Sequence, residues 1–180
     1  MIVEKNSLSM MNNTQVKSRE RVSAHGEVFT AEREVKAMCD MVNDECIRTE
    51  ATFLEPACGD GNFLEEILKR KLSAITHDNE RNSLIALASL YGIDILSDNV
   101  EVCRRRLYAL WDSHSGHSET ARTRAREILE KNIVCGDTLK PAVIIFTEWK
   151  FPEGSITPST KRFTLQEADG EHIQFTEQEP

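Results

Sequence analysis

The residue types best suited to chemistry lie in a glycine-rich stretch near position 60 and in two later acids. Residues 55–63 read Glu-Pro-Ala-Cys-Gly-Asp-Gly-Asn-Phe. Gly59 and Gly61 allow a tight turn and a close approach of the backbone to a ligand. A helix that starts at such a turn directs its free N–H groups at the ligand. Asp94 and Asp137 follow later apolar runs, and their carboxylates accept hydrogen bonds from hydroxyl or amino groups. The pattern is typical of a nucleotide-binding unit.

Short apolar runs predict the strands that position these residues. The runs are 52–54, 91–95 and 133–135. Helices with one apolar face are predicted between them, at about 62–72, 80–90, 98–111 and 118–131. Because strands alternate with helices, we expect an α/β fold with an open, mostly parallel sheet and helices on both faces. Ligands of such sheets bind beyond the carboxyl ends of the strands, so the turn and the two acids are expected to meet in one crevice.

The chain is predicted to have three parts. They are a flexible segment at 1–22, a cofactor-binding domain at 23–150 and a C-terminal hairpin or tail at 151–180. The domain is expected to start with a helix at 31–42 that is N-capped by Thr30. Its predicted buried face has i, i+3, i+4, i+7 spacing and comprises Val35, Met38, Cys39 and Val42. A fourth apolar run at 142–146 predicts another strand, and 163–165 is expected to pair with 173–175 around Asp169-Gly170.

The two acids also discriminate between ligands. An acid at the end of the second strand can bind both ribose hydroxyls, which suits Asp94, and Asp137 can accept from the amino group of adenine. Leu64 stands where a dinucleotide fingerprint has its third glycine, and no Gly-Lys-Ser/Thr follows to make a P-loop. Carboxylates disfavour a phosphate-rich ligand and tolerate a cation, so the pattern favours S-adenosylmethionine over a dinucleotide. The simpler alternative is that the glycines only form a turn and the acids only cap helices.

Composition limits the partners. The formal charge is −8, whereas proteins that bind nucleic acid unaided usually carry a basic surface. If DNA is the substrate, another domain or subunit is expected to hold it. No apolar run reaches the ~20 residues that span a bilayer, and residues 1–21 contain no apolar leader. We therefore expect no membrane partner and a cytoplasmic location.

The cysteines and histidines indicate no metal site. The five cysteines are odd in number and widely spaced, which argues against a disulfide framework or a zinc knuckle. Cys39 and Cys103 fall on apolar helix faces, as reduced core thiols do. His114 and His117 lie in a Ser/Gly-containing loop that is expected to be solvated.

Four motifs together resemble a known family. They are His-Gly-Glu-Val-Phe-Thr at 25–30, Phe-Leu-Glu-Pro-Ala-Cys-Gly-Asp-Gly-Asn-Phe-Leu at 53–64, Tyr-Gly-Ile-Asp-Ile at 91–95 and Asn-Ile-Val-Cys-Gly-Asp at 132–137. They resemble the methylase subunits of restriction-modification systems, most closely the adenine-N6 DNA methyltransferases of type I and of fused restriction-methylation enzymes. The resemblance covers about residues 15–140. It implies a Rossmann-like methyltransferase fold, incomplete in its second half, that binds S-adenosylmethionine.

The resemblance also implies roles for individual residues. Phe29 and Thr30 would border the methionine end of the cofactor. Asp94 would hold the ribose, and Asp137 with Cys135 would flank the adenine. The full set of expected cofactor-binding residues is Phe29, Thr30, Glu55, Pro56, Ala57, Gly59, Gly61, Asn62, Phe63, Asp94, Ile95, Cys135 and Asp137.

The chain departs from the family pattern at two places. Ala31 replaces the proline that usually follows the threonine of the first motif. More seriously, the catalytic motif [DNS]-P-P-[YFW], which holds a flipped adenine, is absent. Thr147-Glu148-Trp149 stands near its expected place. Glu148 and Trp149 are the candidate catalytic pair, as acceptor and stacking ring. The alternative is an exposed acid beside a partly buried tryptophan.

Three functional hypotheses remain open. The first is an adenine-N6 DNA methyltransferase, or its cofactor-binding subunit, that works on DNA in a hetero-oligomer with a separate recognition subunit or domain. The second is a catalytically degenerate module that binds cofactor, DNA or a partner subunit without turnover. The third is a methyltransferase with a methyl acceptor other than DNA.

Overall fold

The computed structural model of the protein describes residues 17–77, 79–114, 116–138, 144–168 and 172–178. The helices are α1 (Arg19–His25), α2 (Glu32–Met41), α3 (Asn43–Cys46), α4 (Asn62–Ala74), α5 (Asn79–Ala88), α6 (Ser97–His114) and α7 (Glu119–Asn132). The strands are β1 (Phe53–Glu55), β2 (Leu90–Asp94), β3 (Ile133–Cys135), β4 (Ile144–Lys150), β5 (Ser159–Ala168) and β6 (His172–Gln178). Most of the segment predicted to be flexible, 1–22, lies outside the described residues, and α1 begins within its last part.

A three-stranded parallel sheet positions the glycine-rich turn and the acids. Its strand order is β1-β2-β3, so chain order and spatial order agree. Phe53 pairs with Leu90, and Gly92 pairs with Ile133. Two helices connect each pair of neighbouring strands. The predicted strands and the mixed α/β class are confirmed, and all three strands end on the same side, as parallel strands must.

The helices between the strands bury the predicted faces. In α4 these are Leu64, Ile67, Leu68 and Leu72. In α7 they are Ala121, Ala125, Ile128 and Leu129. Val100, Cys103, Leu107 and Trp111 of α6 join the same core, together with Leu90 of β2. Periodic apolar residues on helices of this length therefore located the main core correctly.

Helix α2 differs from its prediction at its cap and on its apolar face. Ala31, not Thr30, is the N-cap residue, and it makes no side-chain capping bond. Val35 and Cys39 are buried, but Met38 is 54 % exposed and Val42 is 49 % exposed. The prediction was wrong for these two residues because α2 packs mainly on α4 and to a lesser extent on α3, and these helices cover a narrower stripe than the spacing suggested.

The two faces of the parallel sheet are covered differently. Side chains alternate along a strand, so Tyr91 and Ile93 face away from the helical core that contains Leu90. They pack against Ile144 and Phe146 of β4. Within the described ranges, no helical residue belongs to this second cluster. The expected helices on both faces are therefore not seen there, and a strand lies in their place.

The fourth apolar run forms part of a separate sheet. Strand β4 pairs antiparallel with β5, and β5 pairs antiparallel with β6. The β5–β6 pairing places Leu165 opposite Phe175, which confirms the predicted hairpin in a longer form. Residues 142–143 and the turn residues Asp169-Gly170 lie outside the described part.

One loop expectation was wrong. His117 is 5 % exposed, not solvated. Its ring stacks on Trp111, with ring centroids 3.7 Å apart and planes within 9°. Trp111 is itself fully buried, so the stacked imidazole is drawn into the core with it. His114 is exposed.

The remaining general expectations concern cysteines, metals and membranes. All five cysteines are free thiols, and Cys39 and Cys103 are buried as predicted. Among the described residues, no group of three or more His, Cys, Asp or Glu is arranged to hold a metal ion. No helix in this part of the chain has the length and apolar character needed to cross a bilayer.

Candidate functional site

A cavity of about 520 Å³ lies beyond the carboxyl ends of the parallel strands. Its walls come from the N-terminal segment (residues 17–30), the glycine-rich turn, the end of β2 with the start of α6, and the turn after β3. The predicted residues that line it are Phe29, Thr30, Glu55, Pro56, Ala57, Gly59, Asn62, Phe63, Asp94, Ile95 and Asp137. Four stretches that are far apart in sequence thus meet at the edge where α/β sheets bind ligands.

The glycine-rich turn needs both glycines. Gly59 has φ 53° and Gly61 has φ 97°, in the left-handed region that other residues avoid. A Cβ at Gly59 would lie 3.0 Å from the ring of Phe29, and one at Gly61 would lie 2.7 Å from Sγ of Cys103. The Cys58 N–H donates to the carbonyl oxygen of Ile93 at 2.8 Å. The turn is therefore packed against the N-terminal segment, α6 and β2.

Asp94 organises the turn as well as lining the cavity. Its Oδ2 accepts from the Gly59 N–H at 2.9 Å. Its Oδ1 accepts from the Leu96 N–H at 2.8 Å and from Nδ2 of Asn99 at 3.2 Å. A carboxylate has about four acceptor positions, so these three bonds leave capacity for a ligand hydroxyl. The acid at the end of β2 thus joins the glycine-rich turn to the first turn of α6.

The cavity wall is acidic. Five carboxylates line it, from Glu27, Glu55, Asp60, Asp94 and Asp137, and its described lining contains no Lys, Arg or His. Burial raises the pKa of Glu55 above its ordinary value, opposed by a hydrogen bond from the Ala57 N–H. A hydrogen bond from an arginine outside the wall lowers the pKa of Glu27, with burial acting against it. A wall of this charge favours a ligand that carries a cation.

Asp60 has unused acceptor capacity. Its Oδ2 lies 2.9 Å from Nη1 of Arg106 on α6. Its Oδ1 is buried and has no hydrogen-bond partner among the described residues. Burying such an atom without a partner is costly, so this oxygen could still accept a hydrogen bond.

Two predicted cofactor residues do not line the cavity. Gly61 instead forms the N-cap of α4 and faces Cys103. Cys135 is exposed, and its Sγ lies 3.6 Å from the carbonyl oxygen of Ile95. Gly61 therefore acts on the site through the shape of the turn.

The structure does not bring the candidate catalytic pair to the cavity. Trp149 is 8 % exposed, its indole N–H donates to Oδ1 of Asn132 at 3.0 Å, and Nζ of Lys131 lies 5.4 Å from its ring centroid. Glu148 lies beside Lys150, with Oε2 3.2 Å from Nζ. Neither residue is among those that line the cavity. Trp149 is a packing residue here and does not present a face for base stacking.

Sequence reasoning missed several wall residues. Glu27 and Asp60 lie inside the two motifs that define the site, so their membership of those motifs was the available signal. Asn99 is 1 % exposed and lines the cavity. The only sequence hint of its role was its position in the turn that follows Asp94.

Comparisons with protein-family models, curated proteins and solved structures found no match for this chain. The chain's own residues and their geometry are therefore the basis for a functional proposal.

Proposed function

We propose that this cavity binds S-adenosylmethionine and that the chain is the cofactor-binding part of an adenine-N6 DNA methyltransferase of a restriction-modification system. The observation that carries the proposal is that the predicted cofactor residues meet in one cavity. Of the thirteen residues expected at the cofactor, all but Gly61 and Cys135 line one cavity at the strand ends. They come from four stretches of sequence, and a structural turn with unrelated helix caps would not require them to share a cavity.

The chemistry of the wall suits this ligand. S-adenosylmethionine carries a sulfonium and an ammonium group, and the cavity wall offers five carboxylates, of which Glu27 and Asp60 are paired with arginines outside the wall. Asp94 would accept from a ribose hydroxyl, and Asp137 would accept from the adenine amino group. Ile95 is 48 % exposed, which suits an apolar contact with a base. The volume of about 520 Å³ lies within the ~300–1,000 Å³ that is usual for small-molecule sites.

The residues of this chain would act by binding and orientation. The bound cofactor supplies an electrophilic methyl group. The acids of the wall hold its adenosine and cationic groups, and the glycine-rich turn fixes its position relative to the sheet. Methyl transfer to an amine then depends mainly on alignment of acceptor and methyl group. With a net charge of −8, the chain would rely on a partner subunit or domain to hold DNA.

Calorimetry with S-adenosylmethionine tests the proposal. Wild-type protein is expected to bind, and Asp94→Asn to bind roughly tenfold or more weakly, because it removes a charged acceptor. Asp44→Asn is the matched control, since Asp44 is an exposed acid on α3 outside the cavity wall. No binding by wild-type protein would refute the cofactor site. Equal effects of the two substitutions would show that only total charge matters.

A second candidate is a module that binds cofactor, DNA or a partner without turnover. The observation that favours it is the position of Glu148 and Trp149 away from the cavity. The experiment tests whether the purified chain alone methylates adenine-containing DNA. Incorporation of a labelled methyl group from the cofactor into the DNA is the measurement. Methylation by the chain alone would reject the non-catalytic candidate. Methylation only after a partner subunit is added would support a divided enzyme.

A further inference from the structure

One buried amide joins the N-terminal segment to the acid at the end of β2. Asn99, in the first turn of α6, is 1 % exposed. Its Nδ2 donates to Oε1 of Glu27 at 2.7 Å and to Oδ1 of Asp94 at 3.2 Å. Its Oδ1 accepts from Nη2 of Arg21 at 3.2 Å and from Nζ of Lys17. The amide thus turns its donor group toward two carboxylates and its acceptor toward two cations.

An amide is well suited to this position. It offers two N–H donors and one carbonyl acceptor from a single planar group, whereas a carboxylate only accepts and an ammonium only donates. An aspartate in place of Asn99 would put a third carboxylate against Glu27 and Asp94. An alanine would leave both of them without this donor. Because the group is almost fully buried, water cannot readily replace the missing bonds.

The N-terminal segment is attached to α6 mainly by polar contacts. Arg21 binds Glu27 through two nitrogens, with Nη2 2.7 Å from Oε1, and its Nη1 lies 2.9 Å from Oδ2 of Asp98. The Glu27 side chain is 7 % exposed. None of the side chains described in this segment is fully buried, and Val28 is 58 % exposed. The segment therefore depends on this charge network more than on apolar packing.

The same segment forms one wall of the cavity, through residues that include Glu27, Phe29 and Thr30. The ring of Phe29 also contacts Gly59 closely enough that a Cβ there would clash with it. A ligand in the cavity would thus touch the segment on one side and Asp94 on the other. Asn99 is bonded to both walls.

We propose that Asn99 is a positioning residue for the cofactor site, which holds the N-terminal segment against the cavity and orients Asp94. Ligand binding and the attachment of the segment to α6 are then coupled through one amide. This inference rests on the proposed function, because its ligand is S-adenosylmethionine. Removal of the amide is expected to weaken binding and to free the segment.

Introduction of a negative charge at position 99, and its rescue, provide the main test. Asn99→Asp is expected to weaken S-adenosylmethionine binding roughly tenfold or more, measured by calorimetry. Adding Glu27→Gln gives position 27 an amide that can donate to the new carboxylate, while its carbonyl oxygen still accepts from Arg21. The double variant is expected to bind at least about threefold more tightly than Asn99→Asp alone. Asn79→Asp, at an exposed position on α5, is the control for added charge and should bind like wild type.

Hydrogen exchange measures the coupling between ligand binding and the attachment of the N-terminal segment. In wild-type protein, S-adenosylmethionine is expected to slow amide exchange in peptides from residues 17–30, and in Asn99→Asp this slowing should be lost. If Asn99→Asp does not fold, Arg21→Gln tests the same network from its more exposed side. Arg33→Gln is then the matched control, because the Arg33 side chain is 89 % exposed and pairs with its neighbour Glu34, outside the network.

The outcomes separate the two proposals. If wild type binds the cofactor and both Asn99→Asp and Arg21→Gln bind equally well, the positioning role is refuted and the cofactor site stands. Weaker binding by Asn99→Asp without rescue by Glu27→Gln would indicate general damage and would also refute it. If wild type does not bind, the proposed function fails, and the coupling fails with it.

Discussion

The parallel sheet and the antiparallel sheet use their strand ends differently. Strands β1, β2 and β3 all run the same way, so residues after each strand collect at one edge and form the cavity. In the antiparallel sheet of β4, β5 and β6, neighbouring strands run in opposite directions. The residues that follow consecutive strands therefore lie at opposite edges. A strand-end acid such as Asp94 can join a shared site, whereas Glu148 on β4 is not among the residues that line it.

The two sheets also differ in how they are held. The glycine-rich turn after β1 is fixed by bonds to β2 and by close contact with Phe29 and Cys103. Strand β4 is held by a ladder to β5 and by side chains such as Trp149, which packs near the end of α7. Substitutions around the turn should therefore affect ligand binding, whereas those in β4 should affect stability alone. Substitutions in each sheet test this division.

Gly61→Ala should have the largest effect. The new Cβ would have φ near 97° and would lie 2.7 Å from Sγ of Cys103. The backbone strain costs about 1–2 kcal/mol and overpacking about 1–3 kcal/mol more. We expect the free energy of unfolding in urea to fall by about 2–5 kcal/mol and cofactor binding to be lost.

Gly154→Ala is the matched control for that substitution. Gly154 also has a positive φ, 68°, but a Cβ there meets nothing within 4 Å. The Gly154→Ala variant should lose only about 1–2 kcal/mol of unfolding free energy, from backbone strain, and its cofactor binding should be unchanged. Equal losses in the two variants would show that close packing under the turn is unimportant.

Lys71→Met tests how the segment that leads into β1 is held in place. Lys71 is fully buried, and its Nζ donates to the carbonyl oxygens of Arg48, Thr49 and Ala51 just before β1. Methionine keeps the apolar stem and removes the donors, so stability at neutral pH should fall by about 1–3 kcal/mol. Urea unfolding at pH 7 measures this, and a loss below about 0.5 kcal/mol would contradict it.

The stability difference between wild type and Lys71→Met is expected to depend on pH. Burial lowers the pKa of Lys71 from 10.5 to about 8 in the folded protein. The unfolded chain therefore binds more protons between pH 8 and 10.5, and stability rises with pH across that window. The difference in unfolding free energy between wild type and Lys71→Met should widen from pH 8 toward pH 10.5. A constant difference would show that the ammonium is fully compensated by its three carbonyl partners.

How far the sequence predicted the molecule depends on whether a signal is local. The turn at 55–63, Asp94 and Asp137 could be placed because each follows a strand directly and parallel strands share an edge. Helix periodicity located Leu64 and Leu68, because residues four apart lie on the same face of a helix. These signals need only a few neighbouring residues.

The features that were missed depend on distant residues. The exposure of Met38 and Val42 depends on how much of α2 the neighbouring helices cover, which spacing does not encode. The position of Trp149 depends on pairing with β5, which follows only after a connecting loop. Asn99 is polar and would ordinarily lie on the surface. Its charged neighbours include Glu27 and Arg21, more than 70 residues earlier, and such distant partners explain its burial.

Trp149→Phe distinguishes packing from function in β4. Phenylalanine keeps most of the apolar area but loses the bond from the indole N–H to Asn132, which leaves a buried amide acceptor unpaired. We expect a loss of about 1–2 kcal/mol in unfolding free energy and a dissociation constant for S-adenosylmethionine within twofold of wild type. Binding that weakens tenfold would instead place this residue in the site and end the division between the two sheets.

Tyr91→Phe tests the contact between the two sheets and should have the smallest effect. The Tyr91 hydroxyl on β2 donates to the carbonyl oxygen of Thr147 on β4 at 3.0 Å, so its loss should cost about 1 kcal/mol.

Burial raises the pKa of Tyr91 to about 12, helped by Glu148. The folded protein therefore keeps this proton in a range where the unfolded chain, with a tyrosine pKa near 10, has lost it. The stability of wild type relative to Tyr91→Phe should be constant below pH 10 and fall as the pH rises from 10 toward 12. Urea unfolding of both proteins at pH 8, 10 and 11 measures this, and a difference that does not change with pH would show that the hydroxyl is open to water and that the sheets separate easily at this contact.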